Sequence, residues 1–309
     1  MSGPAALRVG TRGSTLALRQ TDLVLAMLRE RNPRREFEVV VASTQGDRRQ
    51  DVPISSLGEG VFVTALETAL RAGELDLAVH SAKDVPVDGE PDDLILAAYP
   101  ERGDARDALI AQPASLFETL PIGALVATGS PRRAAQLLAR RGDLRIVGVR
   151  GNVDTRIRKL RAGEFDALVV AAAGLERLDR IGEASELLEM RLMTPAAGQG
   201  ALAVQCRSAD AAMRQLAATI DHPPTRQAVM AERAVLRGLG GGCKVPVGVF
   251  AEAHGAHLRL RAVIAAPDGG RLIEETLDGV SAQPEELGAR MATLLASRGA
   301  DLLADSRSG

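Results

Sequence analysis

Short apolar runs and amphipathic stretches take turns along the first 175 positions of the chain. LRVGT (7–11) is an apolar run of strand length, and Ser14 then stands where a helix N-cap belongs, before TLALRQTDLVLAMLRE. FEVVVAS (37–43) is β-branched and apolar, hence a strand, and the glycine-bearing polar stretch TQGDRRQDVPISSLGEG reads as a long loop. VFVTALETALRAG has a helical period with Gly73 as its C-cap, and LDLAVHSA is the next strand.

The order then repeats. ALVAT (124–128) is a strand, Ser130 and Pro131 form an N-cap and first-turn pair, and RRAAQLLARR is a helix. RIVGV reads as a strand, NVDTRIRKLRAG as a helix ending at Gly163, and FDALVVAAA as a strand. LRAGELDLAVHSAKDVP from Leu70 returns as LRAGEFDALVVAAAGLE from Leu160, 90 residues on, while the Thr11 and Thr128 strands lie 117 apart. Two tandem βαβαβ units predict two similar α/β lobes with mainly parallel sheets. Ligands of such sheets collect at the carboxyl ends of strands and at the helix N-termini that follow. The topology therefore directs Arg12, Ser14, Lys83, Asp84, Ser130, Arg132 and Arg150 toward one volume.

The texture changes after DHPPT (221–225). A helix, RQAVMAERAVLRGL, leads into GGGCKVPVG; VGVFAEA, HLRLRAVIAA and RLIEETLDG then alternate as an antiparallel sheet, and PEELGARMATLLASRGADLLA closes as a helix. This predicts a third domain of α+β type.

Composition narrows the function. A net charge of −2 gives no bulk field toward nucleic acid or membrane, and no run of 18 apolar residues is present. The opening MSGPAALRVGT has no export-signal pattern, and two cysteines make no disulfide framework, which fits a reducing cytoplasm. Aromatics are 2% of the chain without tryptophan, so stacking on single-stranded nucleic acid is poorly supplied. The stretch 131–161 holds ten cationic residues against Asp143 and Asp154. Arg140, Arg141 and Arg161 read as solvated helix faces; Arg132, Arg133, Arg150 and Arg156 follow strand ends and suit a small polycarboxylate or phosphate.

Asp84, directly after Lys83 at a strand end, is either a surface ion pair or, in an arginine-lined cleft, a carboxylate able to stabilise a cation or pass a proton. Cys243 sits in GLGGGCKVP, where the glycines expose the thiol and Lys244 favours thiolate, whereas Cys206 in ALAVQC reads as packed core. No protease spacing accompanies Cys243. The pair His254 and His257 is a weak basis for a metal, so none is expected.

HSAKDVP, RGNVDTR, AAGQGALAVQCR and GGCKVPVG together resemble the porphobilinogen deaminase family, from LRVGTRGSTLALRQ to the last helix. The resemblance implies an α/β fold with two lobes like those of type II periplasmic binding proteins and a small α+β C-terminal domain with an antiparallel sheet. Lobe one would span 1–99 plus 200–219, with GALAVQC crossing back into it. Lobe two would span 100–199, and the C-terminal domain 220–309. It further implies a cytoplasmic, monomeric transferase of porphyrin biosynthesis. Such an enzyme condenses four porphobilinogen molecules head to tail into hydroxymethylbilane, with loss of four ammonias, and passes the product to uroporphyrinogen III synthase. The implied cofactor is a dipyrromethane in thioether linkage to Cys243, with Lys83, Asp84, Thr128, Ser130, Arg132, Arg133, Arg150 and Gln199 around it. Arg12, Ser14, Arg150, Arg156 and Arg177 would bind substrate, with Asp84 and Lys83 catalytic. LGEGVF departs from the family pattern, placing Glu59 where a cation is common, as do TGSPRR, Lys244 and TQGD. The rival reading is a non-catalytic two-lobed binding or effector-sensing protein for a small polycarboxylate.

Overall fold

The first apolar run folds as β1 (Leu7–Arg12), and Ser14 accepts the Ala17 amide at 3.2 Å to cap α1 (Thr15–Arg31). β2 (Phe37–Ala42), α2 (Thr64–Arg71), β3 (Leu77–Ser81) and β4 (Leu94–Ala98) follow, and the chain returns later with β10 (Leu202–Arg207) and α6 (Ala211–Ala218). The computed structural model describes residues 6–42, 63–87, 92–111, 114–240, 246–299 and 302; Cys243, Lys244 and Glu59 lie outside them. These elements belong to the first of two units, Met1–Arg102 with Ala201–Arg226, the second being Gly103–Gly200 with Gln227–Gly309.

In the first unit the strands form one sheet in the order β2-β1-β3-β10-β4. One face packs Val9, Leu77, Val79 and Val204 against Leu25 and Leu28 of α1 and Met213 of α6. Cys206 lies in that layer with no exposed surface, and burial pushes its thiol up to about 11, which makes it inert packing. The opposite face sets Ala78 against Leu66 and Leu70 of α2, while Leu75 fills the space above the bare Gly10.

The second unit repeats the plan. β5 (Asp107–Ala111), β6 (Leu125–Ala127), α3 (Pro131–Arg140), β7 (Arg145–Val147), α4 (Val153–Arg161), β8 (Ala167–Ala171), α5 (Ala172–Arg177) and β9 (Glu186–Leu188) build a sheet in the order β7-β6-β8-β5-β9. The internal repeat reaches down to single hydrogen bonds. Asp76 Oδ2 accepts the Arg8 amide at 2.8 Å, and Asp166 Oδ2 accepts the Leu125 amide at 2.7 Å. Gly73 and Gly163, after the matching helices, turn at φ of 69° and 76°, a conformation that glycine adopts at no steric cost. Beyond the strands, Ala82 donates to Ala201 O and Ala172 to Arg106 O, each at 3.0 Å.

Half of the pairing differs from the expected parallel pattern. β10 is antiparallel to β3 and β4, and β5 to β8 and β9. Each is the strand with which the chain enters its unit, and each fills a slot inside a sheet otherwise built from the local βαβ order. The rest of the second unit is α7 (Pro223–Gly238) from Gln227 onward, the antiparallel meander β11 (Val247–His254), β12 (His257–Ala265) and β13 (Leu272–Val280), and α8 (Pro284–Arg298). Val235 of α7 and Met291 and Leu295 of α8 pack on Val249, Leu258 and Leu260 of that sheet.

Candidate functional site

In the first unit, parallel pairing brings the carboxyl ends of β1 and β3 to the same sheet edge. Arg12 ends β1, and Ser14 caps the helix that follows. β3 runs into a single 3-10 turn, Ala82–Asp84, which leaves both Lys83 and Asp84 exposed. Two contacts fix that turn: Ala82 donates to Ala201 O, and Ser81 Oγ bonds Gln20 of α1 at 3.0 Å. Asp84 makes no ion pair or side-chain hydrogen bond among the described residues, so its carboxylate is open to a ligand.

The second unit gathers cations around a group that the sequence pattern did not single out. Asp107, the first residue of β5, is fully buried between two arginines of α3. Arg132 Nη2 donates to its Oδ2 at 2.8 Å and Arg133 Nε to its Oδ1 at 2.9 Å. Gln199 Nε2 donates to Oδ1 as well, at 2.9 Å, and to Ala105 O at 2.8 Å. Arg132 Nη1 finishes on Thr194 O and Arg133 Nη1 on Val169 O. Burial works to raise the Asp107 carboxyl, but the two guanidinium charges and their hydrogen bonds outweigh it and hold the group at about 2. Two guanidiniums share one carboxylate, so the cluster keeps a net positive charge. Thr128, four residues before Arg132, is buried, its hydroxyl accepting the Ser130 amide at 3.2 Å, and Ser130 in turn caps α3.

Arg156 and Arg177 are half-buried in the same unit. Arg156 Nε donates to Gly151 O at 2.8 Å, and Arg177 Nη2 to Gly200 O at 2.6 Å. Neither meets a carboxylate within ion-pair distance among the described residues. Burial pushes both guanidiniums below their ordinary pKa, and the charge of Arg133 adds to the effect at Arg156. The nearby charge of Glu176 opposes the shift at Arg177 without forming an ion pair, and a guanidinium so placed, with spare donors, is built to receive an anion. Arg150 is half-buried two residues before the Asn152 cap of α4. By contrast Arg140 pairs with Glu274 and Arg161 with Glu183 as surface ion pairs, whereas Arg141, expected on a solvated face, is half-buried, pairing with Asp143 and donating to Phe117 O, Glu118 O and Leu120 O.

A second buried carboxylate also escaped the sequence reading. Glu232 of α7 accepts the Gly198 amide at 2.6 Å and the Ala251 amide at 2.8 Å, tying the Gly198–Gly200 turn to β11. Its signal in the sequence was a lone acid on the apolar side of a helix. For Asp107 it was an acid opening the apolar run DALIA. Among the described residues no group of His, Cys, Asp and Glu is placed to hold a metal ion, and no helix is long and apolar enough to cross a membrane.

Residues 7–215 match the family model described as porphobilinogen deaminase, dipyromethane cofactor binding domain, and residues 226–297 match porphobilinogen deaminase, C-terminal domain. The chain is 48% identical over 294 residues to a porphobilinogen deaminase of Roseiflexus sp. strain RS-1, covering 95% of this chain and 96% of the relative. It is 47% identical over 302 residues to one from Acidothermus cellulolyticus, covering 96% and 90%. Among solved structures it is similar to the BvgS VFT2 domain of Bordetella pertussis, at 15% identity and a TM-score of 0.40 over 70% of this chain and 86% of that one. The described residues form two five-stranded mixed sheets flanked by helices and one small antiparallel three-stranded sheet, an α/β fold with an α+β C-terminal part. Two family models that together span almost all of the chain, and relatives matched nearly end to end, place this protein in the porphobilinogen deaminase family.

Proposed function

We propose that the chain condenses four porphobilinogen molecules head to tail into hydroxymethylbilane, releasing four ammonias, in porphyrin biosynthesis. The observation that carries this reading is the pair of half-buried, carboxylate-free guanidiniums at Arg156 and Arg177, within the region matched by a cofactor-binding model. Every pyrrole of the substrate and product bears an acetate and a propionate. Planar guanidinium forks bind such carboxylates bidentately.

The same chemistry suits a dipyrromethane, whose carboxylates need what these arginines offer. Cys243 would hold it by a thioether, with Thr128, Ser130, Arg132, Arg133, Arg150, Gln199 and Lys83 serving its carboxylates and Asp84 its pyrrole N–H groups. When bound, the dipyrromethane supplies the free pyrrole position from which the chain grows. Arg12, Ser14, Arg150, Arg156 and Arg177 bind the side-chain carboxylates of arriving porphobilinogen. Asp84 stabilises the positive charge that develops on the substrate as ammonia leaves, and it handles the proton the amine takes away. Lys83 steadies a carboxylate beside it. Residues 1–99 with 200–219 act as the catalytic lobe, 100–199 as the carboxylate-binding lobe, and 220–309 as the cysteine-bearing domain. The enzyme works as a cytoplasmic monomer and hands its product to uroporphyrinogen III synthase.

Two measurements test the reading. Intact-mass spectrometry of the purified protein gives a chain heavier by one dipyrromethane, and Cys243→Ser gives the bare chain. A bare mass in a wild type that forms no bilane would mean a polycarboxylate-binding protein, and a bare mass in an active one a different primer. Arg156→Ala raises KM for porphobilinogen about tenfold or more in initial-rate assays. Its melting temperature stays within a few degrees of wild type, because Arg156 takes part in no ion pair among the described residues. An unchanged KM would remove Arg156 from the site.

A further inference from the structure

β1, β3 and β10 lie side by side, and successive residues of each point to opposite faces of the sheet. Gly10 is paired with Ala78, and Ala78 with Gln205. Two residues further along, Arg12 and His80 therefore take up the same face, the one covered by α2. That layer is otherwise apolar, yet His80 and Gln205 are both buried in it, at 6% and 3% exposure.

The buried polar groups form a directed chain. Gln205 Nε2 donates to Glu67 Oε1 of α2 at 3.1 Å, and Gln205 Oε1 stands 2.9 Å from His80 Nε2. A carboxylate only accepts, so the amide NH2 must face Glu67 and the amide oxygen must face His80. That oxygen also only accepts. The imidazole proton is therefore on Nε2, and Nδ1 keeps its lone pair. Burial opposes a second proton, the bond to Gln205 offsets part of this, and the charge of Arg12 adds to the opposition. Together they lower His80 to about 4. Glu67 reaches His80 only through Gln205, and its other oxygen faces Arg71 of its own helix at 3.8 Å.

No step proposed for the reaction uses this histidine. We infer that His80 is a positioning residue for Arg12, its ring fixed with the proton on Nε2 by the Glu67–Gln205 pair and kept neutral by burial, so that the guanidinium keeps one orientation beside an uncharged neighbour. A cation at this position would repel Arg12, and an acid would compete with a substrate carboxylate for it. The inference rests on Arg12 being a ligand of porphobilinogen carboxylates.

The test uses the holoenzyme. His80→Gln puts an amide donor within reach of Gln205 Oε1 and cannot be charged, so its KM for porphobilinogen stays within about threefold of wild type. His80→Leu removes the donor, and KM rises about tenfold while kcat changes less than threefold. A purely structural role would lower kcat through a smaller active fraction and leave KM alone, and that pattern overturns the inference. Nitrogen-15 NMR of histidine-labelled wild type supplies a reading independent of any variant's folding. The neutral, Nε2-protonated form of His80 should persist below pH 5, and titration near the ordinary histidine value of about 6.5 overturns the inference. An unchanged KM in Arg12→Ala would instead remove the underlying assignment of Arg12, so the two failures are distinguishable.

Discussion

Asp84→Asn lowers the turnover of porphobilinogen by about a hundredfold or more and leaves the fold intact. The side chain is exposed on a single turn after β3 and makes no ion pair or side-chain hydrogen bond among the described residues, so folding does not depend on its charge. The amide has the shape of the acid. What disappears is the negative charge that faces the developing cation as ammonia departs, together with the proton-handling oxygen. Removing one well-placed charge or acid–base group costs roughly 10² to 10⁴ in rate, and a hundredfold corresponds to about 2.7 kcal/mol of barrier. Ammonia release and bilane formation, followed in single-turnover experiments, separate this chemical step from substrate binding. Wild-type rates in the variant would show that Asp84 is not the catalytic carboxylate.

Asp107→Ala strikes at folding. It leaves Arg132 and Arg133 buried at 6% exposure each, with no carboxylate between them. Breaking a buried pair costs about 3–5 kcal/mol, a large part of the roughly 5–15 kcal/mol that holds a domain folded. The variant is expected to be insoluble or to melt far below wild type in thermal or urea unfolding. Adding Arg132→Met to Asp107→Asn recovers part of the loss, since one uncompensated charge goes with the carboxylate. The pH dependence follows from the same pairing. The native carboxyl sits at about 2, below its ordinary value of 3.8, so its contribution to stability is complete above the unfolded value and is lost as pH falls toward 2. Wild type therefore loses stability across that acid window through Asp107, and Asp107→Asn lacks this component. Equal acid sensitivity in the two proteins would disprove the role.

Local features made the tandem lobes legible. A helix stop at Gly73 and Gly163, a strand three or four residues later and an aspartate at its entrance are written within a dozen residues, so both copies can be read from their own letters. The antiparallel entries of β5 and β10 were not legible, because their partners lie far along the chain and no short-range period records direction. Arginine placement shows the same limit. Arg140, Arg161 and Arg156 look alike in sequence, yet the first two meet Glu274 and Glu183 while Arg156, among the described residues, meets a carbonyl and no carboxylate. The excess charge read from 131–161 omitted Asp107, which lies outside that stretch and neutralises part of it. Taken alone, Asp84 read as an ordinary surface acid; the family resemblance raised it above that.

The late arrival of β10 orders the protein's birth on the ribosome. β1 to β4 are all made before residue 100, but the slot between β3 and β4 stays open until Leu202–Arg207 has been translated. By then every strand from β5 to β9 has been available to pair. The sheet begun second has all its strands first, and in the meantime β3 keeps one unpaired edge and β4 has no strand partner. A stalled or truncated product ending before Ala201 is thus a natural client for chaperones and a seed for aggregation.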